Sequence, residues 1–139
     1  MQDPQNLSEG GLGEIAYPSA SPFEIHHILC KMDEAAEHPV FGSLLVPEEP
    51  SDGPMPCVVA VHGSLNWRGH HHEHIVRWLD AGICVFRVHS FDSRSVYSVV
   101  EDQMQVTHAM MLADCYQALR MLSTHPSIDE SRIGIAGWS

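Results

Sequence analysis

Three short apolar runs, residues 57–61 (CVVAV), 83–88 (ICVFRV) and 132–136 (RIGIA), are separated by two stretches of helical period. The first run is apolar without alternation, as expected of a strand covered on both faces. Residues 73–81 place Ile75, Val76, Trp78 and Leu79 on one helical face, and Gly82 is positioned to end that helix. Residues 109–122 form the stronger helical pattern, with Met111, Leu112, Cys115, Ala118, Leu119 and Leu122 on one side and Pro126 beyond its end. Strand, helix, strand, helix, strand predicts an α/β fold. Its mostly parallel central sheet has flanking helices in a three-layer sandwich, joined by right-handed crossovers.

The flanking segments are read from composition. Residues 1–22 are rich in Gly, Ser and Pro and are expected to be loose, which leaves 23–139 as the folded domain. Residues 23–29 and 40–46 are apolar enough for strands, and the polar stretch 31–39 between them suggests a hairpin-like pair. Residues 47–54 are a surface loop, and 90–107 are irregular and polar. A chain of 139 residues can bury one small core. Its N-terminus lacks a basic region followed by an apolar stretch, so no signal peptide is expected. No apolar run is long enough to span a bilayer, so no membrane partner is expected.

Charge narrows the function. Eighteen acids against seven bases give a formal net charge of −11. A phosphate backbone needs a basic face, so nucleic acid is excluded as a partner. The four cysteines, Cys30, Cys57, Cys84 and Cys115, form no C-x-x-C pair, and two lie inside apolar runs. They read as buried thiols, and a reducing compartment, the cytoplasm, is the expected location.

The chemistry is concentrated at two strand ends. The last run continues into Gly137-Trp138-Ser139, a strand running into G-x-S, which is the opening of a nucleophile elbow. A serine on a tight turn beyond a strand projects its hydroxyl above the sheet, and the glycine two residues earlier leaves room for the turn. Ser139 is therefore the candidate catalytic nucleophile. At the end of the first run stands Val61-His62-Gly63-Ser64-Leu65. Acyl transfer needs backbone N–H groups facing the carbonyl oxygen. Gly63, Ser64 and Leu65 are placed for that oxyanion hole, with Gly63 allowing close approach and Ser64 or Leu65 supplying the N–H.

These pieces, with residues 81–88, Ser90-Phe91, Glu101-Asp102-Gln103 and 128–139, resemble the dienelactone hydrolase family of α/β-hydrolases over roughly residues 40–139. The resemblance implies the N-terminal half of an α/β-hydrolase fold. It implies cleavage of an ester, thioester or lactone by a nucleophile–His–Asp triad without cofactor or metal. By the chain order of the fold, the acid and the histidine are expected beyond residue 139. The founding members use cysteine where this chain has Ser139, so a serine esterase-like relative is implied. The family often has Asp at the position of His89 and Gly at that of Ser95.

Three further features admit two readings each. His62, Arg94 and Trp138 are candidates for contacting a small ester or lactone substrate. Arg94 suits a substrate carboxylate and equally suits a solvated loop. The cluster His70-His71-His72-Glu73-His74 invites a metal, but no third ligand is identifiable, and a solvated helix start is the favoured reading. For the whole chain, a hydrolase stands against a non-catalytic binding protein of the same fold. All eleven histidines lie upstream of Ser139 and none matches the family's catalytic histidine, so the chain alone is expected to be inactive.

Overall fold

The computed structural model describes residues 6–139. Five strands form one mixed sheet: β1 (Gly13–Ser21), β2 (Ala36–Leu45), β3 (Met55–Val61), β4 (Cys84–Val88) and β5 (Ile128–Gly137), in the spatial order β1-β2-β4-β3-β5. The pairs β3–β4 and β3–β5 are parallel, whereas β1–β2 and β2–β4 are antiparallel. The expected mostly parallel sheet is thus corrected to one that is parallel only in its β4-β3-β5 half. The crossover helices α2 (Gly69–Asp80) and α3 (His108–Leu122) join the parallel strands there, whereas residues 22–35 return the chain from β1 to β2 as an antiparallel pair.

Alternation along the central strands assigns the helices to opposite faces. Cys57, Val59, Cys84, Phe86 and Val88 pack with Cys115, Ala118, Met121 and Leu122 of α3. Ala60 and Val85 pack with Ile75, Trp78 and Leu79 of α2. Successive strand residues point to opposite sides, so each helix takes one face and three layers result.

The N-terminal segments depart from expectation. Residues 13–21 are not loose: they form β1, paired residue by residue with β2 from Gly13↔Leu44 to Ser21↔Ala36. Its buried positions, Ile15, Tyr17, Ser19 and Ala20, lie largely on alternate residues. Ser19 is buried because its hydroxyl has a carboxylate to bond, which composition cannot show. The strand expected over 23–29 is instead the short helix α1 (Ile25–Cys30), which buries none of its residues. The hairpin-like pair exists, but its first member lies ten residues earlier, and the second strand takes in 36–39 from the expected turn.

Other bounds shift by a few residues. Helix α2 begins at Gly69 rather than 73 and so takes in the histidine cluster, while Gly82 beyond its end adopts φ +81°. Helix α3 begins at His108, where the Thr107 hydroxyl caps it by accepting the N–H of Met110. Strand β5 is longer than the expected 132–136, and a register shift opposite Met55 and Cys57 separates its start from its main body. Among the described residues, no helix is long and apolar enough to cross a membrane.

Candidate active site

Parallel register brings three strand ends level. Val61 of β3 lies opposite both Val88 of β4 and Gly137 of β5. The residues that follow, His62, His89 and Trp138, therefore leave the sheet side by side at its carboxyl edge, where open α/β sheets place their ligands. The Trp138 N–H donates to the Val61 carbonyl at 3.1 Å, which extends the β3–β5 ladder one step beyond the strands.

Across that edge Gly63 meets Ser139. A Cβ built on Gly63 would overlap the backbone carbonyl of Ser139 and come within 3.2 Å of the Trp138 oxygen. Gly63 does not have a positive φ, so space and not backbone angle requires a glycine here. The turn Gly63–Asn66 closes through the Asn66 N–H, which donates to the Gly63 carbonyl at 3.0 Å. Asn66 takes the left-handed conformation that closes the turn (φ 66°), and its amide donates to Asp92 at 2.8 Å. The Ser64 carbonyl accepts the Val99 N–H and the Ser98 hydroxyl, both at 3.1 Å. Bonds from three directions hold the turn rigid. Ser64 lines the adjoining cavity, whereas Leu65 is half exposed and lies outside its lining.

That cavity measures about 500 Å³ and runs between the ends of β3 and β5 and the N-terminal half of α3. Ser139, Ser64, His62 and Trp138 border it on the sheet side, and Phe91, Val106 and Met111 form much of its apolar wall. His62 is buried, with its ring 4.3 Å from that of Phe91. Its Nδ1 lies 2.9 Å from the Gly63 carbonyl, which can only accept, so Nδ1 carries the proton. Its Nε2 is buried without a hydrogen-bond partner among the described residues. Burial pushes the His62 pKa below its usual value, outweighing the Gly63 carbonyl and the carboxylates of Asp92 and Asp114. The ring is neutral at pH 7.

The structure takes Arg94 away from the ligand. Its side chain is 7% exposed and its guanidinium grips Asp114, itself fully buried, through Nη1 at 2.7 Å and Nη2 at 3.0 Å. It also donates to the Ser90 and Ala20 carbonyls and to the Ser21 hydroxyl. Ser19 and Ser90 donate to the same carboxylate at 2.6 Å each. Arg94 is thus neither a solvated loop residue nor a free cation for a substrate. It clamps the loop after β4 onto β1 and α3. No local signal points to this partner, because Asp114 lies 20 residues away inside a helix whose pattern is dominated by its apolar face.

The histidine cluster is also corrected. His70, His72 and His74 are exposed, but His71 is buried against Trp67 and Trp138. Among the described residues no group of three or more His, Cys, Asp or Glu side chains is arranged to hold a metal ion. Trp138 turns its ring into this aromatic group, 5.9 Å from Trp78 and 6.0 Å from Trp67.

The fold matches known structures. A structure assigned as a dienelactone hydrolase from Klebsiella pneumoniae subsp. pneumoniae superposes with a TM-score of 0.56 at 19% identity, over 90% of this chain and 50% of its own. A dienelactone hydrolase-like promiscuous phosphotriesterase from metagenomic libraries gives 0.54 at 21%, over 91% of this chain and 49% of its own. The esterase Est22 gives 0.55 at 20%, over 91% and 35%. The chain therefore has an α/β-hydrolase-type fold and spans about half the length, or less, of these structures. No protein-family model matches the chain, and no curated protein matches it in sequence.

Proposed function

We propose that the chain carries the nucleophile of a hydrolase that cleaves a carboxylic ester, thioester or lactone, and that Ser139 is that nucleophile. One observation carries the reading. Ser139 follows the end of β5 beside the Gly63 turn, at the border of an apolar cavity on the sheet's carboxyl edge. The folded domain includes β1 and Leu7, which packs in the same core, and is the N-terminal half of the fold. The triad's acid and histidine follow residue 139. The substrate is a small uncharged ester or lactone, and neither cofactor nor metal enters the reaction. The buried thiols suit a reducing compartment such as the cytoplasm.

The reaction divides into two acyl transfers. Ser139 Oγ attacks the carbonyl carbon while the downstream histidine takes its proton. The carbonyl oxygen becomes an oxyanion facing the N–H of Ser64 or Leu65. The leaving alkoxide or thiolate departs with the proton from that histidine. Water, activated by the same histidine, then attacks the acyl-enzyme, releasing the acid and restoring Ser139. Gly63 lets the turn approach the carbonyl, and His62 and Trp138 border the bound substrate.

The test is hydrolysis of p-nitrophenyl acetate by the full-length reading frame that contains this chain. Ser139→Ala is expected to reduce kcat by several orders of magnitude, as triad deletions do. Turnover unaffected by that substitution refutes the proposal and leaves the non-catalytic binding protein. The 139-residue chain by itself is expected to show no Ser139-dependent turnover, since its base is supplied from beyond its end.

A further inference from the structure

We infer that His71 is a positioning residue whose neutral ring holds Trp138, and through Trp138 the backbone that presents Ser139. The inference rests on the proposed role of Ser139. His71 occupies the first turn of α2, where side chains are normally solvated, yet it is 3% exposed. Its ring lies 4.7 Å from that of Trp138 and 5.3 Å from that of Trp67, perpendicular to the latter. Trp67 is itself anchored, since its Nε1 donates to the Val88 carbonyl at 3.0 Å. Trp138 immediately precedes Ser139, so the seat of its ring sets the direction in which the chain leaves β5.

The orientation of the His71 ring is fixed by a hydrogen bond. Its Nδ1 accepts the Arg68 N–H at 2.9 Å, the part a Glu or Gln plays at the third helical position of a capping box. Nδ1 therefore bears a lone pair, and the proton of the neutral ring sits on Nε2. Protonation would set an N–H at Nδ1 against the Arg68 N–H, two donors in opposition. It would also place a buried charge near the guanidinium of Arg87. The groups acting on His71 are His70 and His74 of its own helix, His62 at the end of β3 and Arg87 of β4, and no carboxylate is among them. Burial first, then these groups, lowers the His71 pKa below the ordinary histidine value.

The consequence is a loss of serine placement in acid, separate from the titration of a catalytic histidine. As pH falls through the lowered His71 pKa, beneath the ordinary value of about 6.5, His71 charges and releases the cap and Trp138. His71→Gln separates the two effects, because Gln keeps an acceptor for the Arg68 N–H and cannot gain a proton. In the full-length protein, kcat/KM is expected to fall with the second power of proton concentration in the wild type and with the first power in His71→Gln. His71→Ala is expected to lower kcat on the order of 10- to 100-fold at pH 8 with a smaller rise in KM, since it misplaces the nucleophile and shifts only the Trp138 side of the cavity. Tryptophan emission, read on the same proteins, is expected to be quenched more on acidification in the wild type than in His71→Gln, where His62, His74 and His89 still face the indole rings. A quenching amplitude as large in His71→Gln as in the wild type, or an unchanged acid slope, overturns the inference. Absence of hydrolysis in every variant refutes the proposed function instead, and the emission titration still decides whether His71 holds Trp138.

Discussion

The backbone carbonyl of Ser139 occupies the place where a side chain on Gly63 would begin. The end of the chain after β5 and the Gly63 turn therefore touch through main chain, with no side chain between them. Gly63→Ala is expected to push the two apart, with overpacking of about 1–3 kcal/mol read by urea denaturation. In the full-length enzyme kcat is expected to fall more steeply than KM rises. Unchanged stability and activity would show that the two backbones are not in contact in solution.

Arg94 and Asp114 are a buried pair, so removing one charge strands the other. Arg94→Met is expected to destabilise the fold by about 3–5 kcal/mol. The double variant Arg94→Met, Asp114→Leu is expected to recover part of that loss, because no uncompensated charge remains. Chemical denaturation of all three proteins checks the order.

Among the described residues, no lysine, arginine, aspartate or glutamate lines the cavity. With Arg94 engaged elsewhere, none of the cavity-lining residues offers a fixed cation to a substrate carboxylate. The full-length enzyme is expected to prefer a neutral ester over an isosteric ester bearing a carboxylate on its acyl group, on the order of 100-fold in kcat/KM, since burying an unpaired charge is costly. Equal rates on the two would place a cation in the site.

Cys30 is exposed, whereas Cys57, Cys84 and Cys115 are buried. Burial pushes the Cys57 and Cys115 thiols up to about 12 and raises that of Cys84. A disulfide reagent at pH 8 is therefore expected to modify Cys30 rapidly in the native chain, and the other three only after denaturation. Rapid reaction of all four thiols in the absence of denaturant would show that the core opens readily.

Among the described residues β5 pairs on one side only, with β3, and Ile135 is 51% exposed on it. An apolar strand with a free edge is a template for a second chain. The isolated chain is expected to elute ahead of a 15.4 kDa monomer as its concentration rises, with amide exchange along the outer side of 132–136 rapid in the dilute monomer and slowed on association. A sharp monomer peak with uniform protection across β5 would show that the edge is self-sufficient.

What the sequence made legible follows the reach of its signals. Strands β3 and β4 and helix α3 were readable because their patterns are local and apolar. Strand β1 was not, because its inward Ser19 reads as loop until the Asp114 carboxylate is seen beside it. The run 23–29 is short and apolar, and such a run fits a strand and a helix equally; here it is the helix α1. At the site, Gly63 and Ser139 could be placed because a strand end followed by glycine or serine is a local motif. Arg94 and His71 could not. Both are exposed by local rules and buried only through partners, Asp114 and Trp138, supplied by distant segments.

The Asp114 carboxylate also bears on how the chain reaches its native state. It bonds Ser19, Ser90 and Arg94, which stand 95, 24 and 20 positions away in sequence. Contacts of wide separation close slowly, because the intervening chain must first give up its freedom. The bond to Ser19 cannot form until β1 has crossed nearly the whole chain to reach α3, so β1 is expected to dock last. Until it does, the carboxylate lacks its Ser19 partner, and a chain halted at that stage carries an incompletely satisfied charge in its interior. The same cluster that fixes the finished domain thus marks the incompletely assembled one as the species most open to proteolysis and misassembly.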